Sequence, residues 1–323
     1  MNIKILSICV NLLLLFINFS GCIEEIPSVE SKTIYVDDDG GKDYISIQNA
    51  IDVANEGDTI YVYNGTYYEL LIINKSINLI GASKEKTIIN YDKNRYGQIN
   101  IIVVNANNCT IKGFKLINTF SSSLIMGINV KSSNNIISNN AILNTTEGIS
   151  IDAKSKNNTI FLNIILNNEF GIALRYSDHN NISKNNISLN TFSGVYLKGA
   201  LSHNNTISCN TVSNNEYGMY LTGIINNKIF ENTVVNNTKQ GIYFCCGAQG
   251  NIIYYNIFKG NNECNACYDG DNQWDNGSVG NYWDEYGEKY PNAMEIDGIW
   301  NTPYNISGGT NQDNYPLVYP AII

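Results

Sequence analysis

Tyr196, Tyr220 and Tyr243 each stand third in a Gly-apolar-x-apolar tetrad: Gly194-Val-Tyr-Leu, Gly218-Met-Tyr-Leu and Gly241-Ile-Tyr-Phe. If the apolar pair of each tetrad points inward, x points outward and the three rings fall in one column. Tyr268 continues that column if the next, less regular repeat aligns. Two residues further along runs a second outward column: Lys131, Asp152, Arg175, Lys198, Thr222 and Cys245. Flat aromatic faces beside cations suit the rings and carboxylates of an acidic polysaccharide. Stacked tyrosines also stiffen a sheet, so binding and scaffolding both fit the pattern.

Arg175, Lys198 and Asp152 could also attempt proton abstraction beside a uronate carboxylate, the step of a polysaccharide lyase or epimerase. Hydrolysis would require two acids about 5–9.5 Å apart. Glu169 and Glu216 share a column two residues before the glycine, but lie two coils apart. A binding or structural role is therefore the main expectation, with a uronate lyase or epimerase as the alternative.

Four cysteines form another set. Cys245-Cys246 and Cys264-x-x-Cys267 lie roughly one repeat apart. They could form disulfides in an extracellular setting or hold zinc, for which adjacent cysteines are awkward tetrahedral ligands. The chain has two histidines, His179 and His203, and four methionines, few for a copper site of imidazole or soft ligands.

What must position these residues is a repeat. The tetrad recurs six times from Gly127 to Gly241, in steps of 21, 23, 23, 24 and 23 residues. Asn-x-x-Ile-x-x-Asn keeps time with it, as in Asn157/Ile160/Asn163 and Asn204/Ile207/Asn210. A fixed period of this size marks a solenoid, whose units bury their apolar faces by stacking. Within one unit the apolar residues fall in three short alternating bursts, Ile160-Leu162, Ile164-Leu166 and Ile172-Leu174, each too short for a helix. Asparagines between the bursts suit left-handed corners. In stacked register they can also hydrogen-bond amide to amide. The pattern predicts an all-β parallel β-helix with three strands per coil over residues 33–262.

Irregular strand runs at Thr59-Tyr63, Leu70-Ile73, Ile77-Ile80, Thr87-Ile89, Ile99-Val104 and Thr110-Leu116 extend the solenoid upstream. Before them, residues 46–55 read as an amphipathic helix, with Ile47, Ala50, Ile51 and Ala54 on one face and Ser46 as N-cap. A solenoid end exposes core, so this helix is expected to cap it.

The first 22 residues read as an export signal: Lys4, an apolar stretch from Ile5 to Phe19, then Phe19-Ser20-Gly21-Cys22. The close resembles a lipoprotein lipobox, which would lipidate Cys22 and place the body on the extracellular face of the membrane, tethered by residues 23–32. An uncleaved N-terminal anchor is the alternative.

The net charge of −9 is concentrated in the tail. From Glu263 to Asp313 ten acids face the single base Lys289, so no basic stripe exists to displace nucleic-acid counterions and nucleic acid is excluded as a partner. All three tryptophans also fall in the tail, residues 263–323, which reads as an irregular C-terminal cap or a separate site.

Gly280-Asn-Tyr-Trp-Asp-Glu-Tyr286, Asp297-Gly-Ile-Trp-Asn-Thr-Pro-Tyr304 and Asp313-Asn-Tyr-Pro-Leu317 resemble the closing motifs of archaeal surface proteins of the NosD-type β-helix family. Ile45-Ser-Ile-Gln-Asn-Ala-Ile-Asp and Gly57-Asp-Thr-Ile-Tyr-Val are similar to the family's opening. The resemblance implies a right-handed parallel β-helix of the class shared by carbohydrate-binding proteins and sugar hydrolases. Its name comes from a periplasmic copper-related accessory protein, and the fold hosts many functions. Family members usually carry a calcium-like Asp-x-Asp-x-Asp-Gly-Ile-Gly-Asp run. Here the matching positions are Ala293, Glu295, Asp297 and Asn301, so a weakened Ca²⁺ site and a solvated acidic loop both remain open.

Overall fold

The computed structural model describes residues 30–91, 99–120, 124–267 and 270–320. Ser31–Ile323 is one unit. Among the described residues it is a parallel β-solenoid whose coils contribute to three long sheets of 10, 10 and 9 strands. One coil shows the plan. Thr159–Phe161 lies in the first sheet, Ile164–Leu166 in the second and Phe170–Arg175 in the third, before the chain returns to the first at Asn181–Ser183. Upstream, the chain also forms strands at Thr33–Val36 and Gly65–Tyr68, which the apolar pattern does not announce.

Every coil lands in register on the next. Ile160, Ile182, Ile207, Ile229 and Ile253 pair in succession, and none has measurable exposure. Gly148 shows why the tetrad opens with glycine. A Cβ there would sit 2.6 Å from the carbonyl oxygen of Gly171 and 2.6 Å from Cγ2 of Ile165. At this strand position the next coil and the neighbouring sheet lie too close for any side chain.

Asparagine was expected both to turn the corners and to form ladders, but the structure divides these jobs. The ladder members are buried, as in Asn140, Asn163, Asn185, Asn210, Asn232, Asn256 and Asn281. Oδ1 of Asn163 accepts from the backbone N–H of Asn140 at 3.0 Å and from its Nδ2 at 3.2 Å. Its own Nδ2 donates to Ile137 O and to Asn185 Oδ1. The left-handed residue is the one before the rung, from Asn139 to Tyr255 in this ladder, though not at Gly280 before Asn281. It is often not asparagine, as at Leu162 (φ 57°), Lys184 (φ 56°) and Glu231 (φ 56°). A left-handed conformation costs such residues roughly 1–2 kcal/mol, which the satisfied buried amides offset.

The helix Ile47–Val53 packs against the first coils through Ile47, Ala50 and Ile51. Ser46 accepts from Asn49 N as its N-cap, and Glu69 accepts from the N–H groups of Ile47 and Gln48. At the other end Lys75 Nζ donates to the carbonyls of Asp52 and Ala54 at 2.6 and 2.7 Å.

The tail closes the opposite end. Trp274 and Trp283 are fully buried, and Trp283 stacks between Phe258 at 4.7 Å and Tyr304 at 4.2 Å. Asp313 finishes one asparagine ladder by accepting from Asn281 N, Trp283 Nε1 and Tyr315 N. Gly280 makes room for it, since a Cβ there would collide with that carboxylate. Burial pushes the Asp313 carboxyl up to about 7, against the pull of its donors.

Candidate functional site

The third sheet carries both outward columns. Its register aligns Asn129, Ser150, Ala173, Tyr196, Tyr220 and Tyr243, and next to Tyr243 it places Cys267. Position 268 is therefore not the continuation of the column: the last strand aligns one residue earlier than the tetrad spacing suggests. Tyr268 itself lies outside the described residues, as does Cys22.

The column is uneven in exposure. Asn129, Ser150 and Ala173 are buried, whereas Tyr196, Tyr220 and Tyr243 are half-buried. Ring centroids lie 5.9 Å apart from Tyr196 to Tyr220 and 5.1 Å apart from Tyr220 to Tyr243, with planes tilted by 35° and 43°. The aromatic surface is wider than this column. The residue before each tetrad glycine forms its own row, which includes Glu147, Phe170 and Tyr217. Phe170 and Phe192 pack at 5.1 Å, and Phe192 and Tyr217 both touch the Tyr220 ring. Reading only the x position missed this row, although its period is the same. Burial pushes the Tyr220 hydroxyl up to about 12, with Cys245 and Tyr243 adding to the shift.

Arg175 and Lys198 are neighbours in register, and Thr222 and Cys245 continue that column. Lys198 is exposed. Arg175 is not the free cation its column position suggests. Its guanidinium grips Glu147 with Nη2–Oε1 and Nη1–Oε2 at 2.6 and 2.7 Å, and lies 5.3 Å from the centre of the Tyr196 ring. Asp152 is half-buried, and burial raises its carboxyl above the usual range while Lys131 and Arg175 pull it down. A carboxyl that holds its proton longer, beside two cations and an aromatic strip, is the chemically distinctive spot on this face.

The four tail-side cysteines form two pairs, not one tetrahedral set. Cys264 and Cys267 are joined in a disulfide, and the Sγ atoms of Cys245 and Cys246 lie 2.7 Å apart. Among the described residues no group of three convergent metal donors includes a cysteine, so the zinc alternative is not supported. Asp297 and Gly298 form the two-residue turn of the hairpin Glu295–Ile296/Ile299–Trp300, with φ of 50° and 81°. Two positive φ values are what a type I′ turn requires and Asp-Gly supplies. Asn301 Oδ1 accepts from Met294 N, and Glu295 is exposed. Asp297 and Asn301 thus have structural roles independent of calcium.

Among the described residues two other groupings place three donors within 4.8 Å of one another: Asp37, Asp38 and Asp39, and Asp178, His179 and His203. The second contains both histidines of the chain. They are 24 residues apart, one turn of the repeat, so the period itself brings them together.

Fold and sites together define a parallel β-solenoid with an aromatic outer face. The family profile described as periplasmic copper-binding protein (NosD) matches residues 51–240 and, in a second match, 201–288, and the chain belongs to this family. No curated protein sequence matches it. Structures that resemble it include the pectate lyase Pel9A, 15% identical, covering 76% of this chain and 80% of its own, with a TM-score of 0.59. XylC, solved with xylose, is 12% identical over 88% and 73% of the two chains, with a TM-score of 0.57. The A-module of the mannuronan C-5 epimerase AlgE4 of Azotobacter vinelandii is 15% identical over 71% of each chain, with a TM-score of 0.53. At these identities the likeness is one of fold. For the copper in the family's description, imidazole is a suitable ligand and carboxylate alone is not, so the Asp178/His179/His203 grouping fits and Asp37–Asp39 does not.

Proposed function

We propose that the outer face of the third sheet binds an extracellular or cell-surface polysaccharide. The observation that carries this reading is the continuous, half-buried aromatic surface of Phe170, Phe192, Tyr196, Tyr217, Tyr220 and Tyr243. Lys198 and Arg175 border it. Rings exposed on one side and packed on the other are held rigid, so they pay little entropy when a sugar stacks on them. Polysaccharide-acting proteins on the same fold support the reading. Glycan-array binding by the full chain, assayed in parallel for unsaturated uronate product, tests it. Binding without product is the expected result, and no binding to any glycan would sink the proposal.

A second reading, a uronate lyase or epimerase, is favoured by the raised Asp152 carboxyl beside Lys131 and Arg175. Unsaturated product for a lyase, or a changed ratio of uronate epimers for an epimerase, lost in Asp152→Asn, would establish it. The proposal also places the protein on the extracellular face of the membrane, held by a lipid on Cys22. That rests on the sequence of residues 1–22 alone. Release of the protein from membranes by Cys22→Ala tests it, and unchanged fractionation would refute it.

A further inference from the structure

We propose that His179 and His203, oriented by Asp178, form a binding site for a divalent transition-metal ion at the corner between the third and first sheets. Both imidazoles point at one place. Nδ2 of Asn204 lies 3.4 Å from His179 Nε2 and 3.1 Å from His203 Nδ1, so two ring nitrogens converge on a single amide group. The rings meet edge to face at 5.8 Å. Asn204 is exposed. Rotation of its side chain vacates the point of convergence, and an amide flip presents Oδ1 there as a further oxygen donor.

Asp178 sets the chemistry of His179. Its carboxylate is buried and lies 2.7 Å from His179 Nδ1, which fixes the proton on Nδ1 and leaves the Nε2 lone pair free for a metal. A carboxylate behind a ligating histidine is a recurrent way of orienting the ring and raising its basicity. The residue type at this corner departs from its neighbours in the stack, although the left-handed backbone is the same. Equivalent left-handed positions are Asn108, Asn134, Asn157, Asn204, Asn226 and Gly250, and here the residue is His179 at φ 59°. Histidine replaces the Asn or Gly found at those six positions, one coil from the chain's other histidine.

One feature opposes binding. Lys156 Nζ lies 3.3 Å from Asp178 Oδ2 and brings positive charge close to the site. Its side chain is 53% exposed, so it can swing into solvent when a cation arrives. Imidazole ligands favour Cu²⁺ over Zn²⁺ and disfavour Mg²⁺ and Ca²⁺.

The test is titration of the full, tag-free chain with Zn²⁺ by calorimetry, and with Cu²⁺ by electron paramagnetic resonance. One equivalent of each should bind, Cu²⁺ more tightly, with nitrogen hyperfine structure from two imidazoles. His179→Ala and His203→Ala should each weaken Zn²⁺ at least about tenfold, and Asp178→Asn about 10–100-fold, as for other residues that orient a ligand. Lys156→Gln should tighten it. His179 is exposed and His203 half-buried, outside the apolar core, so their variants should keep the parent's circular dichroism and melting temperature. An equivalent that persists in the double histidine variant would belong to the cysteines and overturn the proposal, as would failure of the parent to bind.

Discussion

Arg175 and Glu147 are locked together across adjacent coils by two hydrogen-bonded contacts of 2.6 and 2.7 Å, and this pair decides what the aromatic face presents to a ligand. Glu147 is 8% exposed and Arg175 29%, so the pair is half-desolvated and screened only in part by salt. Arg175→Ala should destabilise the protein by about 1–3 kcal/mol, less than for a fully buried pair, because Glu147 loses its partner. Glu147→Gln should instead release the guanidinium and make binding of an acidic glycan tighter and more salt-sensitive. Denaturant titration and binding at two salt concentrations check both, and identical binding by Glu147→Gln would show that Arg175 does not face the ligand.

Tyr220 touches Phe192, Tyr196, Tyr217 and Tyr243, which makes it the hub of the strip. If the strip binds sugar, Tyr220→Ala should weaken binding several-fold or more, a stacked ring being worth about 0.5–1.5 kcal/mol by analogy with aromatic pairs. A folded Tyr220→Ala variant that binds every glycan as the parent does would leave the strip as scaffolding.

The core and the ladders should fail in different ways. Ile207 is fully buried between Ile182 and Ile229, so Ile207→Asp should abolish cooperative folding by placing a charge in apolar surroundings. Asn210→Ala removes a side chain that accepts from Asn185 and donates to Ile182 O and Asn232 Oδ1. It should cost about 1–3 kcal/mol for each buried group left unsatisfied. Circular dichroism melts of the two variants distinguish these outcomes. A melt of Ile207→Asp that matches the parent would refute the register.

Asp313 predicts a pH dependence of stability. Its folded value of about 7 lies above its ordinary value of 3.8, so folding favours the protonated carboxyl. That contribution is fully present below about pH 4 and is lost as pH rises through about 7, at up to about 1.4 kcal/mol per pH unit. Urea denaturation across this range should show the slope in the parent and a flatter profile in Asp313→Asn. Equal slopes would place the titration elsewhere.

The fold was legible because its determinants repeat. One tetrad and one Ile-bearing motif recur at a fixed spacing, and each coil can bury its isoleucine only against the same residue of its neighbours. Periodicity also predicted the column of Tyr196, Tyr220 and Tyr243, since side chains alternate in a strand whatever surrounds them. It stopped where the repeat wears out. The register that puts Cys267 beside Tyr243 depends on how the last coil meets the cap, which no local pattern records. Nor does alternation say which outward charges meet. Arg175 reaches back across a coil to Glu147, a choice made by side-chain length, ring packing and the loss of solvent between them. Asparagine supplied the corners in the sequence, but separating the turning residue from the buried rung required the backbone angles. The same holds for His179 and His203: their spacing of one coil is in the sequence, while the convergence of their nitrogens on one point is a property of the stacked corner.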